Sequence, residues 1–243
     1  AHHTDTIVHA ATGSGKTLAF LVPILSRLEP STPLQLLILL PSRELAVQMA
    51  AQVSELIGGA SGLSLHLLVG GARGPSPGGG HVAQFRELDA EVSAKRAAVV
   101  VATPHALLRQ LRLADTVVGG AGNTLLLRLA RSLDAVVFDE LDALLPRPRP
   151  QGTDYYARSD WKRAGRDERR KARRKGGACW QLVRRLGAAL EIVGRATPPA
   201  GARARRPARG VKTSQLQLVG ASATVGRSLV LQLGRLFGRA TPP

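Results

Sequence analysis

Short apolar runs alternate along this chain with stretches whose apolar residues recur every three or four positions. TIVHA leads into a helical pattern from about Lys16, and LQLLILL into SRELAVQMAAQVSELIG. SLHLLV is followed by a Gly/Pro loop and HVAQFRELDAEVSAKR, AAVVVAT by PHALLRQLRL, DAVVFDE by LDALL, and QLQLVGASA by GRSLVLQLGRLFG. The strand-like runs are apolar at successive positions rather than at every second one, as strands covered on both faces require. Repeated strand-helix units of this kind predict an α/β fold, a mostly parallel sheet with helices on both faces. Ligands of such sheets sit at the carboxyl ends of the strands.

Three stretches break the pattern. GGARGPSPGGG, residues 70–80, is too rich in Gly and Pro for regular structure, and residues 113–132 read as a modest insertion before the strand at Asp134. The third is a basic block at about 147–213. Its RPRP, RRKARRKGG and RARRPARG runs read as loop or disorder, with an amphipathic helix, CWQLVRRLGAALEIVG, embedded among them. Cys179 and Trp180, at the start of that helix, are expected to face the core. The expected organisation is one domain over residues 1–243 carrying this insertion.

Charge sharpens the picture once it is located. Residues 147–210 hold 19 Lys and Arg against 5 Asp and Glu, a surplus of 14 within a net charge of +17 for the whole chain. A concentrated basic block attracts polyanions by counterion release, and Tyr155, Tyr156, Trp161 and Trp180 lie within it, so that stacking platforms and cations occur together, the combination used on single-stranded nucleic acid. The single cysteine rules out an intramolecular disulfide. No apolar run approaches the ~18 residues that span a bilayer, and the first residues carry no signal-peptide pattern. The expectation is an intracellular chain without membrane attachment. The absent initiator Met and the immediate start on a strand suggest a piece of a longer protein.

The candidate chemistry begins at Ala10-Ala11-Thr12-Gly13-Ser14-Gly15-Lys16-Thr17, a phosphate-loop pattern in which Ala10 stands where the first Gly is common. Residues Ala11, Thr12, Gly13, Ser14 and Gly15 offer backbone N–H groups to phosphate oxygens at a helix N-terminus. Lys16 would reach the β and γ phosphates, and Thr17 would offer its hydroxyl to Mg²⁺. Hydrolysis also needs a carboxylate for the metal and a group to orient water. DAVVFDELD supplies both at a strand end: Asp139 for Mg²⁺ and Glu140 for the attacking water.

ATGSGKT, PSRELAVQ, Gly70-Gly71, ATPHALL, VFDELD and the SAT of residues 222–224 occur in the order and approximate spacing of one family. Together they resemble the first RecA-like domain of DEAD-box RNA helicases, over nearly the whole chain outside the insertions. The resemblance implies a RecA-like fold, ATP and Mg²⁺ as cofactors, and RNA as partner. It assigns Pro41, Arg43, Gly71, Thr103 and Pro104 to an RNA track along the sugar-phosphate backbone. It also implies that Ser222 and Thr224 contact Asp142 and so couple the nucleotide site to RNA separation, while Glu44 bonds within its own domain.

The chain departs from the family pattern in places. Leu141 replaces Ala, and a larger side chain there either packs into the core or pushes Asp142 away from Ser222 and Thr224. His105 and Ala106 stand where Gly and Arg are expected, so one RNA-facing cation is lost and His105 reads as a solvated helix-start residue. The adenine-reading Gln segment cannot fit ahead of the phosphate loop, and the second RecA-like domain, with its arginine fingers, is not represented. Such fingers are worth ~10³ to 10⁵ in rate. The expected function is therefore an ATP-dependent RNA helicase represented by its first domain, monomeric and weakly active alone. The alternatives are a noncatalytic RNA-binding or scaffold protein with a degenerate helicase fold, or a P-loop enzyme acting on DNA or a small molecule.

Overall fold

A computed structural model of the chain describes residues 5–11, 13–30, 32–58, 62–70, 88, 90, 97–117, 125–145, 166–193 and 216–224. Among the described residues six strands are formed: β1 (Thr6–His9), β2 (Leu36–Leu39), β3 (Ser64–Leu68), β4 (Ala97–Ala102), β5 (Ala135–Phe138) and β6 (Gln217–Ser222). They make one parallel sheet in the order β1-β6-β5-β2-β4-β3. The helices are α1 (Lys16–Leu25), α2 (Arg43–Ile57), α3 (Pro104–Val117), α4 (Leu125–Ser132), α5 (Leu141–Leu144) and α6 (Arg166–Ile192). The α/β architecture expected from the continuous apolar runs is the one found.

Because successive strand residues point to opposite faces, each apolar run feeds two cores. Leu36, Ile38, Val99, Val101, Ala135, Val137, Val219 and Ala221 meet α1 and α2 on one face. Leu37, Leu39, Val100, Ala102, Val136, Phe138 and Leu218 meet α3, α4, α5 and α6 on the other. The central strands β2 and β5 are buried at every position, whereas β1, at the edge, is only partly covered. Asp5 helps fix that edge by accepting a hydrogen bond from Leu218 N–H at 2.9 Å.

Two of the interruptions carry more order than the pattern suggested. Within 113–132, α3 runs on to Val117, and Leu125–Ser132 is the helix α4, which buries Leu125, Leu127, Leu129 and Ala130. In the basic block, the helix begins at Arg166 rather than near Cys179, so the RRKARRKGG run, expected as loop or disorder, is helical. The physical reason is that Arg, Lys and Ala favour helix, and Asp167 and Glu168 lie in the first turn, where carboxylates complement the helix dipole. Anchorage from Ala178 onward then outweighs the ~1 kcal/mol that each of Gly176 and Gly177 costs. Cys179 is fully buried, which pushes its thiol up to about 12, and Trp180 packs partly buried beside it. The 70–80 loop, apart from Gly70, and Tyr155, Tyr156 and Trp161 lie outside the described residues, as does the GRSLVLQLGRLFG pattern.

Candidate functional site

Parallel pairing puts the carboxyl ends of all six strands at one edge of the sheet. There His9 is level with Ser222, Phe138 with Gly220 and Leu39, and Ala102 with Leu39 and Leu68. The strand order divides that edge into two contiguous halves. β1, β6 and β5 bring the phosphate loop, Ser222 and the Asp139–Asp142 turn together. β2, β4 and β3 bring Pro41, Arg43, Thr103, Pro104 and Gly70.

In the phosphate loop, Gly13 and Gly15 have φ of 78° and 85°, a left-handed backbone that disfavours any side chain, and a Cβ built at either would meet nothing within 4 Å. The loop is thus an open cradle. Ser14 Oγ donates to Ala11 O at 2.7 Å, closing the turn. Lys16 is buried at the first position of α1, and its Nζ donates to Ala10 O at 2.6 Å and Ala11 O at 2.9 Å. A cation held by neutral carbonyls keeps its charge available to an anion. Ala11, Gly13, Ser14 and Gly15 are exposed and Thr17 half-buried. Thr12 lies outside the described residues.

β5 delivers the carboxylates. Asp139 N–H donates to Leu39 O, extending the ladder with β2 by one bond, and Glu140 N–H donates to Asp139 Oδ1 at 3.0 Å. Glu140 sits at φ 52°, ψ 53°, a left-handed conformation unusual for Glu and costing on the order of 1–2 kcal/mol. Its carbonyl accepts from Ala143 and Leu144 N–H, starting α5 directly. Burial raises the pKa of Asp139 above the ordinary carboxylate value, opposed by the Glu140 amide and by Lys16. Glu140 is raised too, by burial first and then by Asp139 and Asp142, with Lys16 again opposing. Lys16 therefore lies close enough to act electrostatically on both carboxylates, although they come from a different strand.

One turn further on, Ser222 Oγ donates to Asp142 Oδ1 at 2.9 Å and Thr224 Oγ1 donates to Asp142 Oδ2. Ser222 is fully buried and accepts in turn from Thr224 N–H at 3.3 Å. Leu141 is itself fully buried in the core and does not displace Asp142. Of the two outcomes open for that substitution, the harmless one is realised. His9 adds a contact that no motif announced: its Nε2 lies 3.0 Å from Ala223 O, tying β1 to the residue between Ser222 and Thr224.

On the other half of the edge, Arg43 is exposed at the start of α2, behind Ser42, whose Oγ accepts from Leu45 N–H at 3.3 Å. Pro41 is half-buried, and Glu44 is exposed in the first turn of the helix. Thr103 and Pro104 are buried, and Thr103 N–H donates to Leu68 O at 3.1 Å. His105 is exposed, whereas Ala106 is buried in the core. The loss of Arg at 106 thus suits a position that packs inward. Gly71 lies outside the described residues.

The family model described as DEAD/DEAH box helicase matches residues 1–165. The chain belongs to this family. It carries the N-terminal RecA-like domain of the DEAD-box type. Among relatives, it is 33% identical over 155 residues to the Arabidopsis thaliana DEAD-box ATP-dependent RNA helicase 47, mitochondrial, covering 58% of this chain and 24% of the relative. It is 36% identical over 143 residues to the human probable ATP-dependent RNA helicase DDX59, covering 58% and 19%. The chain thus spans about a quarter or less of these DEAD-box relatives. Its fold matches Mss116p bound to ssRNA and AMP-PNP with a TM-score of 0.56 at 20% identity, over 98% of this chain and 35% of that one.

Among the described residues, no group of three or more His, Cys, Asp and Glu could hold a metal by itself, and no helix is long and apolar enough to cross a membrane. The open glycine cradle, the carbonyl-held lysine and the half-buried Asp139 at the end of β5 fit a phosphate chain with a divalent ion.

Proposed function

We propose that this domain binds ATP with Mg²⁺ and hydrolyses it in response to RNA, as the first half of an RNA helicase that locally separates duplexes. Backbone N–H groups of residues 11–15 would hold the phosphates, with Lys16 on the β and γ oxygens. Thr17 and Asp139 would hold Mg²⁺, which neutralises charge developing between the phosphates. Glu140 would orient the attacking water. Pro41, Arg43, Gly71, Thr103 and Pro104 would grip RNA backbone on the other half of the edge. Asp142, Ser222 and Thr224 would couple the two.

The observation that supports this reading best is the convergence on one turn of Lys16, acting on Asp139 and Glu140, and of Asp142 held by two hydroxyls. It favours catalysis over a decayed scaffold, since Leu141, the substitution most able to break that turn, leaves it intact. A second RecA-like domain of the longer protein would supply the remaining charge for the transition state, and the chain's small share of its relatives' length supports that division. In the full-length protein, Glu140→Gln is expected to lower RNA-stimulated turnover about 10²- to 10⁴-fold with little change in nucleotide affinity. Equal phosphate release by the two proteins would reject the catalytic reading.

A further inference from the structure

Two segments leave the carboxyl edge of the sheet side by side. β1 and β6 keep parallel register as far as His9 and Ser222, and there they part. One runs into the phosphate loop, where the carbonyls of Ala10 and Ala11 hold Lys16 Nζ at 2.6 and 2.9 Å. The other runs into the hydroxyl clasp, where Ser222 and Thr224 donate to the two carboxylate oxygens of Asp142. His9 spans the gap between them. It immediately precedes Ala10, where the phosphate-loop pattern starts, and its Nε2 lies 3.0 Å from the carbonyl oxygen of Ala223, the residue between the two hydroxyls.

A carbonyl oxygen only accepts, so Nε2 carries the proton and donates. The bond is not what attaches the edge strand. Backbone pairing already joins β1 to β6 from Thr6 to His9, and the His9 side chain is exposed rather than packed in the core. What the ring adds is a link between the two turns. A shift of Ala10 moves the backbone of His9 with it, and the ring must then either stretch its hydrogen bond or carry Ala223 along. The path runs from Lys16 through the carbonyls of Ala10 and Ala11 to His9, across to Ala223, and on through Ser222 and Thr224 to Asp142. Lys16 also acts electrostatically on Asp139 and Glu140 of the same acidic turn, so the path closes on itself.

We infer that His9 is a positioning residue that couples the phosphate loop to the clasp on Asp142, so that a phosphate chain entering the loop tightens the hold of Ser222 and Thr224. Contiguous hydrogen bonds of this kind carry coupling between sites when one end is displaced by a ligand. The inference deepens the function proposed above and rests on it for the ligand, a triphosphate chain with Mg²⁺. His9 touches neither phosphate nor metal in this account and acts only through Ala10 and Ala223.

The test compares the whole chain with His9→Phe, which keeps a planar ring without a donor, and with His9→Gln, which keeps an Nε2 donor. The reporter is hydrogen exchange of the Thr224 amide, which donates to Ser222 Oγ at 3.3 Å. Magnesium tripolyphosphate is the ligand, so neither base recognition nor hydrolysis enters the result. Without ligand, His9→Phe should exchange Thr224 about three- to tenfold faster, as loss of one hydrogen bond allows, and His9→Gln should stay within about twofold of the parent. Saturating tripolyphosphate should slow that exchange about three- to tenfold in the parent and in His9→Gln and leave it unchanged in His9→Phe, while calorimetry shows all three binding within about threefold of one another. Parent-like exchange in His9→Phe overturns the inference. So does His9→Gln behaving as His9→Phe, or tripolyphosphate that binds the parent without slowing Thr224. A parent that binds no tripolyphosphate rejects the phosphate-loop reading instead, and the ligand-free rates then decide whether His9 ties the two turns.

Discussion

The two turns that converge at the nucleotide half of the sheet edge are built in opposite ways. The phosphate loop follows β1, a partly covered edge strand, and is shaped by two left-handed glycines, with its lysine folded back on the loop's own carbonyls. The acidic turn follows β5, a strand buried at all four positions, and is pinned by the ladder to β2, the buried Leu141 and the hydroxyls of Ser222 at the end of β6 and Thr224 just beyond it. The first lies open to solvent at Ala11, Gly13, Ser14 and Gly15. The second is held in advance, including the strained Glu140. On the function proposed above, preorganised carboxylates beside an open cradle would place rigidity where a misplacement would cost most in rate.

The contrast can be tested by loosening each turn separately. Leu141→Ala, which restores the residue usual in the family, should be the most damaging change. It removes a fully buried side chain and is expected to cost about 2–5 kcal/mol, with melting lowered by about 2–4 °C for each kcal/mol in a chain of this size. A neutral result in thermal denaturation would mean that the acidic turn is not core-supported. Gly15→Ala should act through backbone strain alone, since its Cβ would meet nothing, and cost about 1–2 kcal/mol. The same variant should weaken binding of a fluorescent ATP analogue, a loss that Leu141→Ala would show only in proportion to unfolding.

Asp139→Asn should have the smallest effect on stability and the opposite sign. A carboxylate whose folded pKa lies above its unfolded value opposes folding when ionised, so the substitution should raise the melting temperature modestly at neutral pH. That gain should shrink as pH falls through the raised folded value and vanish below the ordinary 3.8, where the parent is protonated as well. A melting curve taken across this range checks both the sign and the window. A gain that persisted at low pH would place its origin elsewhere than in the buried charge.

Much of the fold was legible because its strands are apolar at successive positions and its helices start where Lys16, Arg43 and Pro104 follow them. Other features were hidden for identifiable reasons. The Gly176-Gly177 pair and the density of like charge made residues 169–177 read as loop, while the helix there is secured by burial that starts only at Ala178. The buried α4 was hidden in what read as an insertion. Left-handed Glu140 carries no signal, since that backbone ordinarily marks Gly or Asn. His9 was one of six scattered histidines until β1 and β6 were paired side by side.

What the residues determined by themselves is local: which segments are doubly covered strands, where a glycine loop can bare its amides, and which strand ends carry carboxylates or hydroxyls. Such properties depend on neighbours within a few positions, and side-chain periodicity records them. The strand order that gathers one set of motifs on β1, β6 and β5 and the other on β2, β4 and β3 was decided by tertiary packing alone. So were the clasp of Asp142 by a serine 80 positions away and the choice of which face of α6 turns outward. These rest on contacts between segments far apart in the chain, whose free energy arises only once the core has closed and which leave no periodic trace in the amino-acid order.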